Sequence, residues 1–255
     1  MSGSLEGRRA LVTGGTSGIG AELVDRLAAD GARIVFTGRD EARGAEVAAR
    51  SGADFVAADA SDEAAVERSV AVAAARLGGL DALVCAAGVI TEASIVGTSP
   101  EDWATLLDVN LTAPYLYSRR CLPLLREAGG GSIVHVSSDA GVWGEEWVGA
   151  YSVTKAALIT LAQMLAVEAG PSGIRVNAVC PGDILPGMLT TTAGRERHAD
   201  TDGWRVPPIG RIGEAADVAG VVSFLLGSDS TFVTGTALLV DGGMRASYRA
   251  WEANA

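Results

Sequence analysis

The chain has 255 residues, 48% of them hydrophobic, and a formal net charge of −11. That is enough chain to bury a sizeable core, in one large or two small domains. The acidic balance, with arginines scattered rather than striped along one face, argues against nucleic acid or an anionic membrane as a partner.

Strand-like and helix-like segments alternate from Arg8 to Gly243 with no Pro- or Ser-rich linker between them, which predicts one α/β domain over 1–255. Arg8 to Thr13 reads as a short buried strand running into Gly14-Gly15-Thr16-Ser17-Gly18-Ile19-Gly20. A helix follows (AELVDRLAADG) and stops at Gly31. Strand, glycine turn and helix together make a phosphate cradle, because bare backbone can approach a pyrophosphate and the helix N-terminus supplies N–H donors. The alternative is that the glycines serve only a tight turn; the context favours a dinucleotide.

The next strand, Arg33 to Thr37, ends in Gly38-Arg39 with no acid at its tip. A carboxylate there suits the ribose 2′-hydroxyl of NAD, and an arginine suits the 2′-phosphate of NADP. Asp40 competes but fits better as a helix N-cap, so NADP(H) is favoured over NAD(H). Arg39 as a solvated surface charge is the plainer alternative. Asp54 to Ala58 is a third strand, followed by Asp59 and Ala60, and Asp59 either meets the adenine or caps the alanine-rich helix that ends at Leu77. Leu80 to Cys85 is a fourth strand, opening into Ala86-Ala87-Gly88, whose small side chains suit close approach of a ligand. A helix is expected from Glu101 to about Leu125 with Asn110 in its middle, where asparagine is a poor helix former. Asn110 either faces solvent or holds a break in the helix near the site.

Ile133 to Val136 is a buried strand ending in Ser137-Ser138, and a helix opening near Tyr151 carries Lys155. Four residues apart, Tyr151 and Lys155 share a face, with Cβ atoms roughly 5–6 Å apart. A free phenol titrates near about 10, and a neighbouring cation lowers that value, which predicts a phenol made acidic by the ammonium. Lys155 is the chain's only lysine, against nineteen arginines. Gly173 to Val179 is another strand, followed by Cys180-Pro181-Gly182 and then Ile184. Residues 186–210 form the least regular stretch and are expected to be a substrate lid. Asp217 to Leu226 reads as a helix, Ala237 to Val240 as a last strand, Asp241-Gly242-Gly243 as a turn, and 244–255 as a tail.

Trp143, Trp147 and Trp204 fall in segments that would overhang the site, which suggests an apolar or ring-bearing substrate, or else packing anchors. Glu145 and Glu146 would make its entrance acidic. His135 reads as a packed strand residue and His198 as a surface one. Cys85, Cys121 and Cys180 are odd in number and widely spaced, with no metal-ligand spacing, so no metal is expected and the thiols are read as buried and reduced, in the cytoplasm. No apolar run of transmembrane length or secretory signal core is found.

With these residues in order, the chain resembles a short-chain dehydrogenase/reductase of the single-domain Rossmann-fold kind, from about Leu5 to Arg245. Thr13-Gly14-x3-Gly18-Ile19-Gly20 matches the cofactor loop, Asp59 the adenine-contacting acid, and Asn110 within DVNL the helix asparagine. Ser138, Tyr151 and Lys155 match the remaining catalytic positions, and Pro181-Gly182 the loop beside the nicotinamide. The resemblance implies a three-layer doubly wound parallel sheet and hydride transfer between nicotinamide and a small-molecule alcohol/ketone pair. Tyr151 would be the general acid or base, Lys155 would lower its pKa and hold the nicotinamide ribose, Ser138 would position the substrate oxygen, and Asn110 would support a relay water. Val233-Thr234-Gly235 and Val240-Asp241-Gly242-Gly243 match a C-terminal segment often found at tetramer contacts, so a homotetramer, or a homodimer, is expected. Two departures stand out. Cys85-Ala86-Ala87-Gly88 replaces the usual Asn-Asn-Ala-Gly, whose amides tie neighbouring strands, and Pro186 replaces a common threonine. The rival readings are a non-catalytic dinucleotide sensor and an S-adenosylmethionine-dependent methyltransferase; the second leaves Tyr151 and Lys155 without a task.

Overall fold

The computed structural model describes residues 5–185 and 207–246. Seven parallel strands form one sheet: β1 (Arg9–Thr13), β2 (Arg33–Gly38), β3 (Asp54–Ala57), β4 (Ala82–Cys85), β5 (Gly131–Val136), β6 (Ile174–Pro181) and β9 (Ala237–Val240). Their spatial order is β3-β2-β1-β4-β5-β6-β9. Strands of this kind read as continuous apolar runs because helices cover both faces. On one face α1 (Gly18–Ala29), α2 (Glu41–Ser51) and α7 (Ala215–Leu226) pack Leu23, Leu27, Val47 and Val222 onto Val12, Phe36 and Val134. On the other, α3 (Glu63–Leu77), α5 (Ala113–Glu127) and α6 (Gly149–Ala169) pack Val70, Cys121 and Leu165 onto Leu11, Leu83 and Ile133. This is the three-layer doubly wound arrangement expected from the sequence. The strand order reverses between β1 and β4, and in such sheets the crevice beyond the carboxyl ends at that point is where ligands bind.

Local chemistry accounts for the element ends. Asp40 accepts from the Arg43 N–H and starts α2, and Asp62 accepts from the Ala64 N–H and starts α3. Gly52 and Gly78 end those helices in the left-handed conformation that glycine adopts without a Cβ clash.

Three boundaries differ from the sequence reading. Helix α1 begins at Gly18, so the second half of the glycine loop is already its first turn. The expected long helix after Glu101 is two, α4 (Pro100–Leu107) and α5, joined by a π-turn over Asp108–Thr112. A short parallel pair, β7 (Ile184–Leu185) and β8 (Gly213–Glu214), was not legible from composition. By length and composition alone, the stretch Gly149–Ser172 containing α6 is apolar enough to cross a membrane. Here it is the sheet's central packing helix, with Leu158, Ala162 and Ala169 buried. Cys85, Cys121 and Cys180 are free and buried. The expected lid falls almost wholly on 186–206, which lies outside the described residues, as do Pro186, His198 and Trp204; so does most of the tail, 247–255.

Candidate active site

A cleft of about 320 Å³ lies along the carboxyl ends of β1 to β6, at the small end of the range for small-molecule sites, roughly 300–1,000 Å³. Its first part is built from backbone. Gly14 has φ +72°, and a Cβ placed on it would lie 2.6 Å from both the Cα and N of Ala87. The close approach that the small residues after β4 allow is therefore to the glycine loop itself. Thr13 Oγ1 accepts from the N–H groups of Ala86 and Ala87, at 3.2 Å each. That hydroxyl ties β1 to the segment after β4. A Cβ on Gly20 would run into the Gly14 carbonyl, whereas one on Gly18 (φ +52°) would meet nothing within 4 Å.

At the N-terminus of α1, Ser17 makes no side-chain cap, unlike Asp40 and Asp62 on α2 and α3. Uncapped first-turn N–H groups at an open glycine, with a positive helix end, are what a pyrophosphate needs. Thr16, Ser17, Ile19 and Gly20 line the cleft there, and Arg39, Asp59 and Ala60 line it further along. Arg39 is exposed at the tip of β2. Asp59 accepts from the Ser61 N–H and Oγ, which holds its carboxyl below the usual range, with Arg39 adding to the effect. Since α3 is capped by Asp62, Asp59 stays on the cleft wall. The residues present thus fit a dinucleotide, with Ala87, Gly88, Pro181, Gly182 and Ile184 continuing the lining toward the catalytic end.

That end is built from buried side chains. Ser138 stands just past β5, and Tyr151 and Lys155 stand on the first turns of α6. Tyr151 is 7% exposed and Lys155 4%. Lys155 Nζ donates to the Val136 carbonyl at 2.9 Å and lies 5.5 Å from the centroid of the Tyr151 ring. Asn110 is fully buried in the π-turn: its Nδ2 donates to the Val89 carbonyl and to Thr154 Oγ1, and its Oδ1 accepts from the Val89 N–H. Its amide therefore holds the break in the helix and ties three segments together. A Cβ on Gly88 would come 3.4 Å from Asn110 Oδ1 and 3.5 Å from Lys155 Nζ; Gly88 and Lys155 line the cleft, and Asn110 lies behind them without lining it.

The electrostatics correct one expectation. Burial pushes the Tyr151 phenol up to about 12; a hydrogen bond from Ser138 works against this, while Asp139 and Glu145 add to it. Burial also pushes Lys155 down to about 8. The ammonium does not make the phenol acidic in the free chain. It sits over the ring face and bonds a carbonyl, and loss of water is the largest influence on both groups.

The tryptophans divide. Trp147 lines the cleft, 57% exposed, with φ +68° in the left-handed region that a bulky residue occupies only under strain. Trp143 is half exposed and is not part of the cleft lining. Glu145 and Glu146 do line its mouth, but Glu145 is paired with Arg245 at 3.2 Å. His135 is packed, fully buried, and shares a 3.0 Å hydrogen bond with Ser118. The sequence reading missed Asp139. It is buried on the cleft wall and accepts from Ser138 Oγ at 3.3 Å and Arg245 Nε at 3.0 Å. An acid directly after a strand-end serine was the available signal. Among the described residues no cluster of three metal-ligating side chains occurs.

A family model described as enoyl-(acyl carrier protein) reductase matches residues 14–245. The 3-alpha-(or 20-beta)-hydroxysteroid dehydrogenase of Mycobacterium tuberculosis is 36% identical over 252 residues, covering 95% of this chain and 91% of that protein. The chain belongs to the short-chain dehydrogenase/reductase family. The NADP-dependent (R)-specific alcohol dehydrogenase of Lentilactobacillus kefiri is 35% identical, covering 96% of this chain and all of that one. A crystal structure of a putative short-chain alcohol dehydrogenase from Sinorhizobium meliloti superposes with a TM-score of 0.89 at 31% identity, covering 97% and 100% of the two chains. This short-chain dehydrogenase/reductase is accordingly an NAD(P)-dependent oxidoreductase acting on small-molecule alcohol/carbonyl pairs.

Proposed function

We propose that the protein interconverts a secondary alcohol and a ketone, with Tyr151 carrying the proton, and that it works with NADP(H) in preference to NAD(H). The convergence of Ser138, Tyr151 and Lys155, all buried, on a cleft that begins at an uncapped glycine-rich helix end carries this reading. When bound, the nicotinamide supplies or accepts the hydride and, oxidised, brings a positive charge. In reduction Tyr151 Oη gives its proton to the carbonyl oxygen; in oxidation it removes the hydroxyl proton. Ser138 Oγ holds that oxygen. Lys155, with one donor on Val136, keeps two for the nicotinamide ribose hydroxyls, and Asn110, its amide taken up by Val89 and Thr154, holds the π-turn behind Gly88 and Lys155.

Arg39, exposed on the cleft wall with no competing acid at the tip of β2, supports the phosphorylated cofactor, as does the printed name of the Lentilactobacillus relative. Trp147 at the mouth supports an apolar or cyclic substrate, in keeping with a hydroxysteroid dehydrogenase and a cyclohexadiene-diol dehydrogenase among the relatives. A panel of cyclic and linear ketones and alcohols, run with each cofactor, tests the reading. Turnover with NADPH that disappears in Tyr151→Phe is expected; an inert wild-type protein that still binds NADPH would favour a sensor.

A further inference from the structure

Arg245 lies past the last strand, 106 residues from Asp139, yet its side chain reaches under the catalytic end of the cleft. Its backbone is set independently of that reach. Asp241 accepts from the Gly243 and Arg245 N–H groups, at 3.0 and 2.8 Å, and so fixes the turn after β9. From there the guanidinium bridges Asp139 Oδ2 through Nε, at 3.0 Å, and Glu145 Oε2 through Nη2, at 3.2 Å. The second Asp139 oxygen accepts from Ser138 Oγ, whose lone pair also takes the Ala140 N–H. A line of contacts therefore runs from the C-terminal turn, through one carboxylate, to the hydroxyl that would hold the substrate oxygen.

Resting on the reading of Tyr151 as proton carrier, we propose that Arg245 is a positioning residue for catalysis: it neutralises the Asp139 and Glu145 carboxylates beside the phenol and holds Asp139 in the ion pair, so that the Ser138 hydroxyl can turn from that acid to the substrate oxygen. Anions beside a phenol oppose its ionisation, and a cation bridging them removes most of that opposition. Among the described residues, the groups facing Tyr151 are Ser138, Asp139 and Glu145 from the segment after β5, Lys155 from its own helix and Cys180 from β6. Asp183, after β6, bears on Glu145, and Glu92 and Glu146 line the same mouth. Arg245 reaches Asp139 and Glu145 from outside the catalytic helix, and as an arginine it stays charged at every working pH.

The sign of the charge separates this role from a merely structural one. In the pH profile of kcat/KM for alcohol oxidation, Arg245→Gln is expected to raise the apparent pKa of the base by about 0.5–1 unit. Asp139→Asn, nearly isosteric, is expected to lower it by a similar amount, and Arg245→Lys to recover most of the wild-type value. A second reading needs no turnover: rapid alkaline pH jumps, following phenolate absorbance with Tyr151→Phe as the blank, should show the same opposed shifts. Shifts in one direction for both single variants, or none in either, would overturn the proposal, even with folding and melting temperature unchanged. Should the wild type prove inert toward every alcohol, the optical titration alone decides this inference, while the inertness counts against the proposed reaction.

Discussion

The two ends of the cleft are made differently. At the cofactor end the surface is backbone: Gly14 against Ala87, Gly20 against the Gly14 carbonyl, and the bare first turn of α1. At the catalytic end it is side chains drawn from β5, the π-turn, α6 and the C-terminal turn, nearly all out of water. At Gly14 and Gly20 the first end has no room for an added atom. The second has atoms to spare but no tolerance for an uncompensated charge, because Tyr151, Lys155, Asp139 and Glu145 are all displaced by desolvation.

The largest effect should come from the catalytic end. Tyr151→Phe removes one hydroxyl and should lower kcat by about 10²–10⁴-fold, the usual worth of a positioned proton carrier, with an unchanged thermal midpoint. Loss of stability without loss of rate would put the phenol among the packing residues instead.

Next is a pH effect on folding. Burial holds His135 down at about 4, one residue before the Val136 carbonyl that receives Lys155. The unfolded imidazole takes a proton near about 6.5, so between that pH and about 4 the unfolded chain binds more protons, and stability falls with falling pH. The contribution is complete above about pH 6.5, and about 3 kcal/mol is lost by pH 4. Urea midpoints across this window should slope in the wild type and flatten in His135→Gln; equal slopes would show that other groups govern acid stability.

The cofactor end is tested by bulk. Gly14→Ala puts a methyl against the Ala87 backbone at a left-handed φ and should cost about 1–3 kcal/mol in urea denaturation, as overpacking does. A neutral result would mean that the loop and the segment after β4 can separate, and the contrast between the two ends would weaken. Smallest is Arg39→Ala. At an exposed site it should weaken NADPH binding by about tenfold, roughly one charge-assisted hydrogen bond, and leave NADH binding alone. Equal losses for both cofactors would make Arg39 a general surface charge.

The same division decides what could be read from the sequence. The layered fold was legible, since apolar runs, caps such as Asp40 and the glycine turn are local signals. So was the nearness of Tyr151 and Lys155, four apart on one helix, while Ser138 was placed beside them by the family resemblance. The π-turn was legible only as an oddly placed asparagine, because the partners of Asn110 lie 21 and 44 residues away, at Val89 and Thr154. Arg245 was not legible at all: no pattern in the tail pairs it with an acid after β5. Nor was the direction of the Tyr151 shift. Helical spacing says that the two groups are near, but not how much water they lose or that the amine has a carbonyl to bond.

The solitary lysine has a practical side. With no other lysine in the chain and Lys155 only 4% exposed at the floor of the cleft, the folded protein offers amine-reactive labels no ε-amine on its outer surface. Acylation of Lys155, followed by mass spectrometry, therefore becomes a clock for how often the pocket breathes open, and a bound dinucleotide should slow it.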